Sequence, residues 1–151
     1  MFQPGHRTDR RPPFRFAAYT RVAFSDTDAQ GVVYYGRYLP YFDLARTEYH
    51  RELGEVDGAA RAEFVLRASS VEYLAPARFD DLLEVFVRVS RIGRSSVTYD
   101  YAVHRIGPGD DDTLMVTARQ TVVLIDHDDR RTLEVPQRFR ASVAAFESTL
   151  E

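Results

Sequence analysis

The sequence predicts an α+β fold in which an antiparallel sheet curves around one long helix. Three observations carry this expectation: one helical apolar stripe between residues 37 and 53, a change to period-two alternation after residue 61, and turn-forming clusters between the strands that follow. Helix and strands are segregated along the chain, which favours an antiparallel sheet over parallel βαβ units.

Taken in order, residues 1–16 hold Arg7, Arg10, Arg11 and Arg15 with Pro4, Pro12 and Pro13, and lack the apolar stretch of a secretory signal. They read as a disordered basic tail, with an organelle presequence as the other reading. Residues 17–151 read as a single domain. YTRVAFS, from Tyr19 to Ser25, is rich in aromatic and β-branched residues and predicts a first strand. DTDAQG is a turn. Tyr38, Tyr41, Phe42, Ala45, Tyr49 and Leu53 then recur at helical spacing, with Arg46, Glu48, Arg51 and Glu52 on other faces. Pro40 fits only in the first turn of that helix, where its missing N–H has no acceptor to lose, so the helix begins at residues 37–39. Gly54 is the expected stop.

EVDGAAR is a loop, Phe64–Leu74 a strand and PARFDD a connection. Leu83, Val85, Val87 and Val89 alternate with Glu84, Phe86, Arg88 and Ser90, which predicts a half-buried strand. Val97, Tyr99, Tyr101 and Val103 mark the next strand, with His104 of outward parity. GPGDDD is a turn, and Leu114, Val116, Ala118, Val122 and Leu124 mark the last long strand. After the turn IDHDDRR, Pro136 opens a short helix carrying Phe139, Val143 and Phe146.

The chain has 151 residues, 44% of them hydrophobic and 28% charged, enough for one core without disulfides or a structural metal. It has no cysteine, which excludes a Cys nucleophile and a Cys-based zinc site and agrees with a cytoplasmic location. All 20 basic residues are arginine, against 23 acids, for a formal net charge of −3. That balance disfavours nucleic acid as a partner, because phosphate neutralisation needs a concentrated basic surface. No apolar run nears the roughly 18 residues that would insert into a membrane. Schiff-base chemistry has no lysine to use, and an anionic ligand would be held by guanidinium groups or backbone amides.

The densest chemical signal is Asp26-Thr27-Asp28-Ala29-Gln30-Gly31-Val32-Val33-Tyr34-Tyr35, between the first strand and the helix. Two readings stay open on the residues alone. Asp and Gly are turn formers, and an Asp before a helix caps its free N–H groups. Alternatively, the N–H groups of the entering helix polarise a carbonyl while a nearby carboxylate attacks it or deprotonates water. His6, His50, His104 and His127 have no metal-ligand spacing and none adjoins the DTD loop, and no G-x-S-x-G is present. Glu72, on the second strand, reads as a solvated or paired carboxylate in preference to one facing the helix. Arg46 and Glu48 read as structural. Tyr34, Tyr35, Tyr38, Tyr41 and Phe42 form an aromatic run divided between the core and the wall of an acyl pocket.

DTDAQGVVYYGRYLPYFDLARTEY, followed by FVLRASSVEYLAPARFDD, resembles the hotdog-fold thioesterases. The likeness is to the 4-hydroxybenzoyl-CoA thioesterase-like group and its Tol-Pal-associated branch of short-chain acyl-CoA thioesterases. It covers about residues 19–126. The resemblance implies a hotdog fold, hydrolysis of a short-chain or aromatic acyl-CoA without a metal or other cofactor, and a homo-oligomer, either a dimer or a homotetramer built as a dimer of dimers. By position, Asp28 corresponds to the catalytic carboxylate, and Tyr35 to the residue whose backbone N–H faces the thioester oxygen. Gly31 lets the loop turn and the substrate approach, and Asp26 is left as a turn or cap residue. The Tol-Pal branch has His where this chain has Tyr35; the aryl-CoA branch also lacks His there. Tyr34 and Tyr38 are expected beside the acyl group, and Arg91, Arg94, Ser95 and Arg130, near strand ends, beside the coenzyme A phosphates. The competing readings are a non-catalytic module binding acyl-CoA or acyl carrier protein, and an acyl-carrier-protein thioesterase.

Overall fold

In the chain's computed structural model, which describes residues 3–54, 62–108, 112–147 and 150–151, the six strands form one antiparallel sheet wrapped around a central helix. The elements are β1 (Gly5–Arg7), β2 (Phe16–Arg21), α1 (Tyr38–Glu52), β3 (Ala62–Tyr73), β4 (Leu82–Ile92), β5 (Ser96–Ile106), β6 (Asp112–Asp126) and α2 (Gln137–Phe146), with short 3₁₀ turns at Phe24–Asp26 and Tyr35–Arg37. The strand order is β1-β2-β4-β5-β6-β3, so β1 and β3 are the edges. This is the hotdog arrangement.

α1 forms where the stripe predicts. Tyr38, Tyr41, Phe42, Ala45 and Tyr49 are buried against Val85, Val87, Val89, Tyr99, Tyr101 and Val103 on the inner face of the sheet. Each such ring or branched side chain contributes about 1.5–3 kcal/mol by leaving water. Pro40 lies in the first turn, and Gly54, at φ +76°, ends the helix with its N–H donated to the Arg51 carbonyl at 3.0 Å. Only glycine takes up that left-handed backbone without strain.

Several expectations are corrected. The strand expected at Tyr19–Ser25 is β2 and spans Phe16–Arg21, because the Asp26 carboxylate accepts the Ala23 N–H at 3.0 Å and draws Phe24–Asp26 into a 3₁₀ turn. Residues 3–16, expected as a disordered tail, form β1, a strap across the outer face of the sheet and, at Phe16, the start of β2. In the strap, Arg10 pairs with Glu84 and Arg11 with Asp112 at 3.0 Å, while both guanidinium groups lie over the Phe86 ring at 5.7 and 5.8 Å. The outward residues Glu84 and Phe86 of β4, expected in solvent, are consequently buried at 0% exposure, and Ser90, further along, is 0% exposed beside Thr98 and Asp100. His6 of β1 and His104 of β5 complete this cover, His6 bonded to Glu84 at 2.7 Å and His104 edge-on to Phe86. In β6 a bulge opposite Val103/His104 makes Met115 the additional residue, so Met115 is buried and Leu114, expected inside, is 37% exposed.

β2 pairs with β4 only from Leu82 to Phe86. Beyond it, the end of α2 covers β4: the Glu147 carboxylate accepts the Val89 N–H at 3.2 Å and the Tyr49 hydroxyl at 2.6 Å. The expected loop EVDGAAR and residues 109–111 of the GPGDDD turn lie outside the described residues. No described helix is long and apolar enough to cross a membrane.

Candidate active site

The DTD loop is locked to the chain around it by its own backbone. Asp28 donates its N–H to the Val32 carbonyl at 2.9 Å and accepts the Gly31 N–H at 2.9 Å, closing a tight turn in which Gly31 takes φ +80°. A side chain at Gly31 would be strained there. Beyond the turn, Thr27 bridges to Val33, Val32 bridges to Arg78, and the Val33 N–H reaches the Ala77 carbonyl at 2.8 Å. The β3–β4 connection therefore holds the loop against the start of the helix.

The two aspartates have opposite surroundings. Asp26 is 5% exposed. One of its carboxylate oxygens accepts Arg37 Nε and Nη2 at 3.1 and 2.9 Å, and the other accepts the Tyr41 hydroxyl at 2.7 Å and the Ala23 N–H. Burial by itself would raise the Asp26 pKa, but the bonds from Tyr41, Ala23 and Arg37 together outweigh it and hold the group below its usual range. Asp28 is half-buried, and Oδ1 accepts the Gln30 N–H at 2.8 Å. Its second oxygen has no protein donor among the described residues.

At the helix entrance the polar groups of Tyr34 and Tyr35 can be counted one by one. The Tyr34 N–H donates to the Asp26 carbonyl at 2.9 Å, and the Tyr34 carbonyl accepts the Arg37 N–H at 2.8 Å. The Tyr35 carbonyl accepts the Tyr38 N–H and, at 3.1 Å, the Tyr73 hydroxyl. Only the Tyr35 N–H has no acceptor among the described residues. Backbone donors are seldom left without a partner, and this one stands at the first turn of a helix, where the backbone dipoles favour negative charge.

A groove of about 770 Å³ joins these features, lined by Asp28, Val33, Tyr34, Tyr35, Tyr38 and Tyr73 among others. Tyr34 and Tyr35 are exposed. Tyr38 is nearly fully buried beneath them, and burial pushes its phenol up to about 12. Tyr73, at the end of β3, was not singled out in the sequence. Its ring stands edge-on to Tyr35 and Tyr38 at 6.2 and 5.8 Å. The signal available was an aromatic residue ending a strand just before Pro76. Glu72 points the other way, into an outer groove with Phe14, Ser70 and Arg119.

Asp28, Gly31, Tyr34, Tyr35 and Tyr38 thus come together, whereas Arg91, Arg94, Ser95 and Arg130 do not join them. Ser95 accepts the Leu124 N–H, Arg94 accepts the Val135 N–H through its carbonyl, and Arg130 pairs with Glu63 at 3.4 Å, all at the opposite end of the sheet. On β6, Val116 faces Tyr73 while Val123 faces Ser96, a spacing of about 23 Å along the strand. Among the described residues no cluster of His, Asp or Glu could hold a metal ion.

Residues 22–143 match the thioesterase-like superfamily. The acyl-CoA thioester hydrolase YbgC of Escherichia coli is 36% identical over 109 residues, covering 70% of this chain and 78% of that protein. The acyl-CoA thioesterase YbgC of Haemophilus influenzae is 33% identical over 132 residues, covering 84% and 93%. A solved thioesterase superfamily structure from Jannaschia sp. superposes with a TM-score of 0.83 at 26% identity, covering 93% of this chain and 87% of that one.

The Asp26 network makes a prediction that a simple turn residue does not. Asp26→Asn removes a buried charge that holds three donors, and it is expected to cost about 2 kcal/mol in urea unfolding at neutral pH. Because the folded pKa lies below the usual 3.8, this stabilisation is complete above pH 3.8 and is lost as the pH falls through the depressed value. The gap between wild type and variant should therefore narrow on acidification below pH 3.8. A gap that stays constant there, or is absent at pH 7, contradicts this role for the charge.

Proposed function

The chain belongs to the thioesterase-like superfamily, and from that membership we infer that it hydrolyses acyl-CoA thioesters in the groove between the DTD loop and the helix entrance. The observation that carries the site assignment is that Tyr35, whose N–H has no acceptor among the described residues, and Asp28, with one oxygen lacking a donor among them, line one groove.

The proposed reaction places the thioester carbonyl oxygen on the Tyr35 N–H. As a nucleophile adds to the carbonyl carbon, negative charge develops on that oxygen, and a preformed donor at a helix N-terminus stabilises it without reorganising. Two routes fit Asp28. In one, its carboxylate adds to the carbonyl, the C–S bond breaks, coenzyme A leaves as the thiolate, and water then hydrolyses the Asp28 anhydride. In the other, Asp28 takes a proton from water as the water oxygen adds, and that proton goes to the departing thiolate. The tyrosine walls favour a short-chain or aromatic acyl group, with Tyr34 at the mouth of the groove and Tyr38 beneath it.

The arginine end of the sheet acquires a role in a dimer. β3 is an exposed edge of 12 residues, with Leu66 and Tyr73 each 50% exposed, and such an edge is an association site. Antiparallel pairing of two copies across a two-fold sets the Phe64 end of one strand beside the Tyr73 end of the other. Arg94 and Arg130 of the partner subunit would then approach the Asp28 groove and supply guanidinium groups for the coenzyme A phosphates. Gly31 keeps the approach to the loop open. A dimer or a dimer of dimers is expected by light scattering at assay concentration, and a fully active monomer contradicts this arrangement.

The two aspartates give the sharpest test. Asp28→Asn keeps the size and much of the hydrogen bonding but removes the reacting carboxylate, so kcat is expected to fall by about two to four orders of magnitude. Asp26→Asn should keep activity in its folded fraction. Both variants would be assayed by thiol release on the same acyl-CoA. An Asp28→Asn enzyme with wild-type kcat contradicts the assignment, and the non-catalytic binding module then leads.

A further inference from the structure

We propose that Tyr73 is a positioning residue for hydrolysis: its hydroxyl holds the Tyr35 carbonyl, ties the turn to the sheet and so constrains the Tyr35 N–H from its C-terminal side. This rests on the reading of that N–H as the donor to the thioester oxygen. Tyr73 lies 38 residues from Tyr35 in sequence and belongs to the edge strand, yet its hydroxyl donates to the Tyr35 carbonyl at 3.1 Å.

The argument is one of degrees of freedom. The N–H of Tyr35 belongs to the peptide group joining Tyr34 to Tyr35, and a peptide group is rigid and planar, so its orientation depends on the torsions either side. Within that group the Tyr34 carbonyl, coplanar with the Tyr35 N–H, is held by the Arg37 N–H, and on the N-terminal side the Tyr34 N–H is fixed to Asp26. On the C-terminal side, the Tyr35 carbonyl is held by the Tyr38 N–H within the turn and by Tyr73 from outside it. The first three anchors come from the loop and the helix entrance themselves. Tyr73 is the one that ties the turn to the sheet. A 3₁₀ turn has poorer hydrogen-bond geometry than an α-helix and gains most from such an external bond. Burial and the neighbouring Tyr35 raise the Tyr73 phenol above its usual range, so it keeps the proton it donates throughout neutral pH. The ring is separately placed, edge-on to Tyr35 and Tyr38, and it survives removal of the hydroxyl.

A donor displaced by a fraction of an ångström loses transition-state stabilisation while substrate binding, which depends on the walls and on coenzyme A contacts, is little affected. The test is Tyr73→Phe, with Tyr73→Leu as its companion, assayed by thiol release on benzoyl-CoA and butyryl-CoA alongside thermal unfolding. Tyr73→Phe is expected to lower kcat by about 10- to 100-fold, with KM within about twofold and Tm unchanged. Tyr73→Leu should show the same loss in kcat and also a raised KM, because the wall is gone. An unchanged kcat in Tyr73→Phe, or a change confined to KM or to Tm, overturns the proposal. Asp28→Asn measured in the same series separates the causes: if it retains wild-type kcat, the site reading has failed and not only the role of Tyr73.

Discussion

A carboxylate removed from water has to be hydrogen-bonded on every side or give up its charge, and the structure around the DTD loop follows from how Asp26 meets that demand. Its side chain gathers the Ala23 N–H, the Tyr41 hydroxyl and the Arg37 guanidinium, and its carbonyl takes the Tyr34 N–H. These partners come from the residues just after β2, the body of α1, the 3₁₀ turn and the peptide between Val33 and Tyr34. One buried group thus registers strand, loop and helix against one another. The loop residues between Asp26 and Tyr34 then have little freedom, and Gly31 absorbs the turn that remains.

With that frame in place, the two acids of the loop divide their work by environment. Asp26 is nearly fully buried, both its oxygens are taken by donors, and those donors hold it charged. Asp28 is held by one N–H, from Gln30, and keeps an oxygen toward the groove. The same chemistry of side chain thus yields a structural anchor at one position and a reactive group two residues later.

Much of this was legible in the sequence where the determinants are local. The α1 stripe, Pro40 in the first turn, Gly54 at the stop and the turn chemistry of DTDAQG all act within a few residues, and each stands where the pattern puts it. The failures are long-range. Alternation in β4 correctly separates two faces, but nothing local reveals that Phe14, Arg10 and Arg11, some 70 residues away in the chain, cover the outer one. The bulge at Met115 shifts parity by one residue, which a periodic pattern cannot register. Tyr73 carries no local signal, because its significance lies in a contact with a carbonyl 38 residues away. Arg91, Arg94, Ser95 and Arg130 were grouped by their positions near strand ends, and the sheet register separates them from Asp28 within one protomer.

The central claim is that the Tyr35 N–H, not its phenol, meets the thioester oxygen. Replacing Tyr35 by its α-hydroxy acid analogue turns that one amide into an ester and deletes the N–H while leaving the side chain in place. Since the N–H has no acceptor among the described residues, the only bond weakened is that of the Tyr34 carbonyl, now an ester, to the Arg37 N–H, so the fold should be kept with a small fall in Tm, whereas kcat for an acyl-CoA should fall by about 10²- to 10³-fold, the scale of one lost oxyanion donor. A folded ester variant that retains wild-type kcat would contradict the account.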